Sequence, residues 1–299
     1  MVNKYKIIAN PITRRVKEKL FQVERTFKEK GANYDTYFTR GPRDAEVVTR
    51  EFVEDGWDTF VVLGGDGTVS EVINGIYRAK RFINCECKIG IVPTGSANDF
   101  ALEVGINLDA EKGALRILRG EYRELDLVEA EYGNYKRLIH VDAGLGMTSD
   151  GLRKLQVKNR RLPGPLMYIA LSFKVVFGYR NKLVHYVVDG EKLDAKTTVL
   201  IVSMGNYYLG FKNFRPDARE NDGIFEITIL HDMNWIETLG AIADLIQGKL
   251  MKNKKVICKR ARELYITSDP LLGMNIDGEL RGFLPAKFTV KPKVLKIII

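Results

Sequence analysis

The chain has 299 residues, 45% of them hydrophobic and 28% charged, with a formal net charge of +9. This is the make-up of an ordinary soluble globular protein long enough for two domains; no apolar run approaches the roughly 18 residues of a membrane span. The three cysteines (Cys85, Cys87, Cys258) suit a reducing compartment, and with His140, His185 and His231 scattered no zinc spacing exists. The positive excess points to anionic partners: nucleotides, nucleic acid or an acidic membrane surface.

The N-terminal MVNKYKIIANP has too short an apolar stretch for a signal peptide, so the expected compartment is the cytoplasm. Tyr5–Ala9 reads as a strand. Val16, Leu20, Val23 and Phe27 then share one helical face, which Gly31 ends. Tyr34–Phe38 is the next strand, and Asp44–Glu54 a helix with Ala45, Val48 and Phe52 inward. Thr59–Leu63 is β-branched and apolar, a buried strand. After it, Val69, Val72, Ile73 and Ile76 fall at helical spacing. Lys88–Val92 is a fourth strand, followed by helical patterns at Asn98–Val104 and Ala110–Leu118. Strands alternating with helices predict a parallel sheet covered on both faces, a doubly wound α/β domain over residues 1–124.

From Leu125 the period changes. Leu125–Glu131 and Arg137–Val141 flank the turn Tyr132-Gly133-Asn134-Tyr135, and Leu183–Val188 and Thr197–Met204 flank Asp189-Gly190. Ile224–Leu230, Glu263–Thr267, Lys287–Val290 and Leu295–Ile299 add strands; Leu166–Phe177 and Trp235–Met251 are the long helical patterns. This half, residues 125–293, reads as a mostly antiparallel β domain. A cleft between two such domains is a natural substrate site.

The Gly64-Gly65-Asp66-Gly67-Thr68 turn joins the Thr59–Leu63 strand to its helix. Free N–H groups and the helix dipole favour an anion there, and glycine lets backbone approach a ligand. Asp66 would repel phosphate unless a cation or hydroxyl lies between, so the turn suggests nucleotide phosphates with Mg²⁺; alone, it is also a plain tight turn. No Walker loop, Gly-x-Gly-x-x-Gly fingerprint or protein-kinase signature occurs. A second loop, Pro93-Thr94-Gly95-Ser96-Ala97-Asn98-Asp99-Phe100, again follows a strand and starts a helix, and Asn10-Pro11 follows the first strand. Gly144-Leu145-Gly146, Gly205-Asn206, Asp222-Gly223 and Asp277-Gly278-Glu279 come later in the chain.

Together these motifs resemble the diacylglycerol kinase catalytic family, which includes bacterial soluble lipid kinases and the sphingosine and ceramide kinases. The resemblance implies a nucleotide-binding α/β domain of the NAD kinase/diacylglycerol kinase type and a β-sandwich-like second domain. In that family the last strand often returns to the first domain, which would place residues 294–299 there. It implies an ATP- and Mg²⁺-dependent lipid kinase of phospholipid metabolism, with diacylglycerol as first choice of acceptor and phosphatidic acid as product. A sphingoid base or phosphatidylglycerol is the alternative lipid. An NAD kinase-like or sugar-phosphate kinase is the alternative with the same fold; the Thr94–Phe100 element and the Asp277-Gly278-Glu279 end argue against it. A catalytically silent lipid-binding protein is a further alternative.

Phosphoryl transfer is mostly positioning and charge neutralisation, and the attacking alcohol must lose a proton. The resemblance assigns that proton to Glu279, with Asp66 as a second catalytic residue. It assigns the nucleotide to Asn10, Pro11, Thr39, Gly64, Gly65, Asp66, Gly67, Thr68, Glu71 and Thr94. It also implies a structural Mg²⁺ on Asp222 and the carbonyls of Arg219 and Ile224, with Asp99 and Asp126 in the same acidic network through water. Turn residues and helix caps are the plain alternatives at these positions. Ser96-Ala97, Leu209-Gly210-Phe211 and His140-Val141-Asp142 depart from the family pattern. The expected setting is cytoplasmic and peripheral to the inner face of a membrane that presents the lipid. Basic residues Arg153–Arg161 and Lys249–Arg262 suit an anionic surface, while Leu166–Phe177 reads as core sooner than membrane contact. Nucleic acid is not expected, for want of an aromatic stacking pattern. Oligomeric state is left open, a homodimer included.

Overall fold

The computed structural model describes residues 4–12, 14–80, 83, 85–156, 175–212, 214–216, 218–219 and 221–299. The chain divides into two compact units, Met1–Leu125 with Lys293–Ile299, and Asp126–Pro292.

In the first unit β1 (Lys4–Ala9), β2 (Asn33–Phe38), β3 (Thr59–Gly64) and β4 (Lys88–Pro93) run parallel in the order β2-β1-β3-β4. The end of the chain adds a strand beside β4, with Lys296 and Ile297 paired in parallel to Lys88 and Ile89. The helices are α1 (Arg14–Glu29), α2 (Asp44–Glu54), α3 (Asp66–Lys80), α4 (Asp99–Glu103) and α5 (Ala110–Arg119). Tyr5, Ile7 and Ala9 alternate onto one face of the sheet. There they meet Val16, Leu20, Val23 and Phe27 of α1 and Ala110, Ala114 and Ile117 of α5. Ile8, Phe60 and Val62, of the opposite parity, are fully buried too, as strands covered on both faces require. α2 and α3 cross closely at Gly75, where a Cβ would stand 2.6 Å from the Glu46 carbonyl oxygen.

In the second unit β5 (Tyr122–Tyr132), which begins in the first, pairs with β6 (Tyr135–Ile139). There follow β7 (Asp142–Gly146), α6 (Met147–Gln156), β8 (Lys182–Val188), β9 (Glu191–Ser203) and β10 (Phe225–His231). Then come α7 (Trp235–Ile246), β11 (Val256–Ala261), β12 (Glu263–Ser268), β13 (Gly273–Ile276), β14 (Glu279–Phe283) and β15 (Ala286–Ile298). Strand order is β14-β13-β7-β9-β8-β12-β15, with β10 bridging β9 and β11, and these pairings are antiparallel. β9 buries both faces. Leu200 and Val202 join one apolar cluster with Phe225, Ile227 and Phe288. Val199 and Ile201 join another with Phe214, Leu230 and Ala241.

The α/β-then-β order read from the sequence matches these units. Several elements differ. β7, α6, β11, β13 and β14 carry no strong periodic signal and are additions. Lys287–Val290 and Leu295–Ile299 belong to one strand, β15. The helix expected over Trp235–Met251 stops at Ile246, because Gly248 turns left-handed (φ 66°). Gly248 N–H then bonds Leu245 O and Lys249 N–H bonds Asp244 O, a Schellman closure. Of Leu166–Phe177, residues 166–174 lie outside the described residues; Val175 and Val176 are buried and Phe177 is exposed. Residues 157–161 of the first basic stretch also lie outside them.

Candidate active site

The first unit gathers its polar residues where β1, β3 and β4 end. Backbone bonds tie these ends together: Asn10 N–H to Leu63 O at 3.0 Å, Thr39 N–H to Ala9 O at 2.9 Å, Thr94 N–H to Gly64 O at 2.9 Å. The Asn10 amide donates to Thr68 Oγ1 at 3.1 Å, linking the first loop to the start of α3. A Cβ on Gly64 would stand 2.4 Å from the Thr68 Cβ, so only glycine fits beneath that side chain. Gly65 and Gly95 face each other, and a Cβ on Gly95 would lie 2.5 Å from the Gly65 Cα. The Asn98 side chain closes the second loop, accepting from Gly95 N–H at 2.9 Å and donating to Gly95 O at 3.0 Å from a left-handed backbone (φ 54°).

The intrahelical bonds of α3 begin with Thr68 and Val69 N–H on Gly65 O. The N–H groups of Asp66 and Gly67 precede them, and a Cβ on Gly67 would meet nothing within 4 Å. This is an open, donor-rich cradle of the kind that takes phosphate, with the helix dipole adding to the attraction.

Each of the two acids beside the cradle caps a neighbouring helix. Asp66 accepts from Asp99 N–H at 3.3 Å and Phe100 N–H at 3.2 Å, the first residues of α4. Glu71, buried, accepts from Arg43 N–H at 2.8 Å and Ala45 N–H at 3.1 Å, the start of α2. Glu71 therefore reaches, through backbone, the Arg43–Ala45 segment that follows Thr39. Thr39 and Thr94 are buried and Pro11 is exposed. Lys19 of α1 fixes the β4 loop from below, donating to Pro93 O at 2.7 Å and Leu108 O at 2.6 Å. Burial, with Arg15 second, lowers its pKa.

In the second unit Glu279 opens β14 after a two-residue turn, Asp277-Gly278, with Ile276 and Glu279 paired across it. Both turn residues are left-handed (φ 48° and 78°), as a tight hairpin of this kind requires. The Glu279 carboxylate is 42% exposed and pairs with the buried guanidinium of Arg281, on the same strand face. Asp222 lies on the loop before β10. One oxygen accepts from Ile224 N–H at 3.3 Å and the other pairs with Arg260. Arg260 also reaches Glu226 at 3.0 Å, and Glu226 pairs with the buried Arg215. Asp126 accepts from Gly223 N–H at 2.9 Å. With a guanidinium on Asp222, this donor set does not fit the divalent cation expected on Asp222, Arg219 and Ile224. Among the described residues no group of three or more His, Cys, Asp or Glu is placed to hold a metal. An apolar cavity of about 80 Å³ opens beside α7, lined by Val199, Ile201, Phe214, Ala241, Ile242 and Leu245 among others.

Residues 4–130 match the family model of the diacylglycerol kinase catalytic domain, and residues 140–299 that of the YegS C-terminal NAD kinase beta sandwich-like domain. The chain belongs to the diacylglycerol kinase catalytic-domain family, and it is a lipid kinase of that type. The kinase is 29% identical over 291 residues to a diacylglycerol kinase of Staphylococcus carnosus (strain TM300), covering 96% of this chain and 92% of the relative. It is 28% identical over 286 residues to one of Bacillus subtilis (strain 168), covering 95% and 92%. A crystal structure of a diacylglycerol kinase from Bacillus anthracis str. Sterne superposes with a TM-score of 0.76 at 18% identity, over 99% of this chain and 96% of that one. A second from the same organism reaches 0.80 at 20% identity, over 99% and 97%. At that identity the likeness speaks for the fold.

In the kinase the first unit brings together Asn10, Gly64, Gly65, Asp66, Gly67, Thr68 and Thr94. Sequence reading missed Lys19, Arg260 and Arg281, and it quoted Asn98 in the second loop without a role. Arg281 was within reach, since residues two apart share a strand face. Arg260 was not: it stands opposite Glu226 in the β10–β11 register, and β11 has a weak strand signal. No helix of the described residues is long and apolar enough to cross a membrane.

Proposed function

We propose that this kinase transfers the γ-phosphoryl group of ATP to the free hydroxyl of diacylglycerol, giving phosphatidic acid and ADP. The apolar cavity beside α7 carries the lipid half of this reading: its lining is a place for an acyl chain, whereas a nucleotide or sugar acceptor would call for polar groups. Relatives named diacylglycerol kinase support the choice among lipids.

The Asp66 and Gly67 N–H groups and the Gly65–Gly95 contact receive the phosphates, with Asn10, Thr39, Thr68 and Thr94 around them. Asp66 and Glu71 hold α4 and α2, which keeps both loops in place. Mg²⁺ carried with ATP offsets the phosphate charge. Glu279 takes the hydroxyl proton as the alcohol oxygen bonds to the γ-phosphorus and the bridging oxygen leaves with ADP. Arg281 fixes the Glu279 carboxylate by its ion pair. The enzyme meets its lipid as a peripheral protein on the cytoplasmic face of a membrane, supported by its +9 charge.

The test uses purified protein, Mg²⁺ and γ-labelled ATP with mixed micelles of diacylglycerol, sphingosine and phosphatidylglycerol; NAD and fructose 6-phosphate are run separately. Label in phosphatidic acid is expected. Label confined to another lipid, to NAD or to the sugar overturns the reading. Glu279→Gln should fold and bind ATP but lose most turnover, and near-normal turnover would remove Glu279 as the base.

A further inference from the structure

α7 has two apolar faces, and the cavity accounts for only one of them. Thr238 and Ala241 are buried, and with Ile242 and Leu245 they line the cavity. The other side is exposed at Ile236, Gly240, Ala243 and Ile246. These positions recur every three or four residues, so they form one stripe of the helix, and none carries a charge. Ile236 is 60% exposed and Ile246 47%. The two acids of α7 stand at the edge of this stripe. Glu237 pairs with Lys255 at 2.7 Å, and Asp244 accepts from the Asn253 amide at 3.0 Å. At the start of the helix Trp235 packs on Phe177, ring centroids 5.1 Å apart, and both rings are exposed. Asn181 ties the chain after Phe177 to the entry of α7, donating to Asp232 Oδ1 at 2.9 Å and Met233 O at 3.1 Å. Basic residues flank the stripe. Beyond Gly248 the chain returns along the acidic edge of α7: Asn253 meets Asp244, then Lys255 meets Glu237. Lys249, Lys252 and Lys254 are exposed on this return, and among the described residues no acid pairs with Lys252 or Lys254.

We propose that the outer face of α7, with Trp235 and Phe177 at one end and Lys252 and Lys254 along its edge, docks the enzyme on a bilayer of anionic lipid. This rests on the reading of the chain as a kinase of a membrane lipid. A surface helix ordinarily turns polar residues outward, and a continuous apolar stripe marks an interaction site. At 12 residues α7 is about 18 Å long, too short to span a bilayer, so it lies in the plane of the interface. The stripe then sinks among acyl chains, the two aromatic rings sit at headgroup level, and the lysines meet lipid phosphates. Charge selects this partner over an apolar protein surface, since lysines without acids call for anions beside the apolar contact. Ile246 belongs both to the exposed stripe and to the cavity lining. An acyl chain can therefore pass from the bilayer into the cavity along the end of α7 without crossing water.

The experiment measures vesicle binding, which needs no turnover. The full chain is sedimented with vesicles of phosphatidylcholine alone and of equal parts phosphatidylcholine and phosphatidylglycerol, and it should bind the second far better. In a Trp57→Phe background Trp235 is the single tryptophan, and its emission should shift to the blue on the mixed vesicles. Lys252→Gln with Lys254→Gln should weaken binding roughly 30-fold at low salt, about fivefold per lysine, and high salt should erase the difference. Ile236→Ser should weaken it roughly tenfold at either salt. Gly240→Glu sets a carboxylate in the stripe, where a Cβ would meet nothing within 4 Å, and should abolish binding. Melting temperature checks that each variant is folded; should Ile236→Ser fail to fold, Gly240→Glu decides. Turnover of vesicle-borne diacylglycerol should fall with binding, while that of dissolved short-chain diacylglycerol should not. If the wild type ignores the mixed vesicles, the docking face is overturned and the kinase reading stands. The same follows if Ile236→Ser and Gly240→Glu, or the lysine pair, leave binding unchanged. A dimer in sedimentation velocity that Ile236→Ser dissociates, with vesicle binding intact, gives the face to a second copy and also overturns the proposal. If binding behaves as expected but no lipid takes label, the docking face stands and the kinase reading falls.

Discussion

Gly65 and Gly95, thirty residues apart in the chain, touch backbone to backbone: a Cβ on Gly95 would stand 2.5 Å from the Gly65 Cα, closer than real contacts allow. The two loops at the ends of β3 and β4 are thereby one surface. Gly95→Ala must push them apart, and the expected result is a lower melting temperature with a roughly 10- to 100-fold loss of kcat/KM for ATP. Gly67→Ala is the contrast. Its Cβ meets nothing within 4 Å and sits in the first turn of α3, where alanine favours a helix by up to about 1 kcal/mol. Melting temperature should hold or rise. A thermal scan and an ATP titration of both variants check this; equal behaviour would show that the loops are not coupled.

Asp66 should report on structure and chemistry separately. Asp66→Ala leaves Asp99 and Phe100 N–H without their acceptor, a lost helix cap worth about 1 kcal/mol. Asp66→Asn keeps one acceptor and turns an NH₂ toward the other donor. Urea unfolding should rank wild type above Asn above Ala. Both variants should lose most turnover on the proposed reading, in which the loop this carboxylate sets receives phosphate. Unchanged kinetics in both would reduce the turn to a turn.

The unequal legibility of the chain has a physical pattern. Val69, Val72, Ile73 and Ile76 announce α3 because helix period and burial coincide there, and β3 and β4 announce themselves as apolar runs buried on both faces. β7 does not. Asp142-Ala-Gly-Leu-Gly146 has little strand propensity and is a strand because β9 and β13 pair with it from either side. The same limit applies at the site. Glycine turns and acids can be picked out in the sequence, but which backbone N–H an acid meets depends on contacts between distant segments. Glu71 on Arg43 and Asp66 on Phe100 are such contacts, and so is Arg260 on Asp222, where the sequence suggested a cation.

Glu71 carries a prediction of its own. It is buried and serves two backbone donors of the Arg43–Ala45 segment. Glu71→Ala should cost about 1–3 kcal/mol for each N–H left without an acceptor. KM for ATP should rise as the Thr39 loop loosens, with kcat less affected. Glu71→Gln, which retains one acceptor, should fall between. A stable variant with unchanged KM would mean that the loop does not depend on this carboxylate.

The last prediction concerns the cavity beside α7. Ala241 is almost fully buried and lines it, and the space is about 80 Å³. Leucine at this position projects branched carbon into a volume of that size. If an acyl chain enters there, Ala241→Leu should raise KM for long-chain diacylglycerol about tenfold, the scale set by a methylene or two in an apolar pocket. KM for ATP should not move, and short-chain diacylglycerol should be used nearly as well as by wild type. A chain-length series on both proteins makes the comparison. An equal shift at every chain length, or none, would place the acyl chain elsewhere on the enzyme.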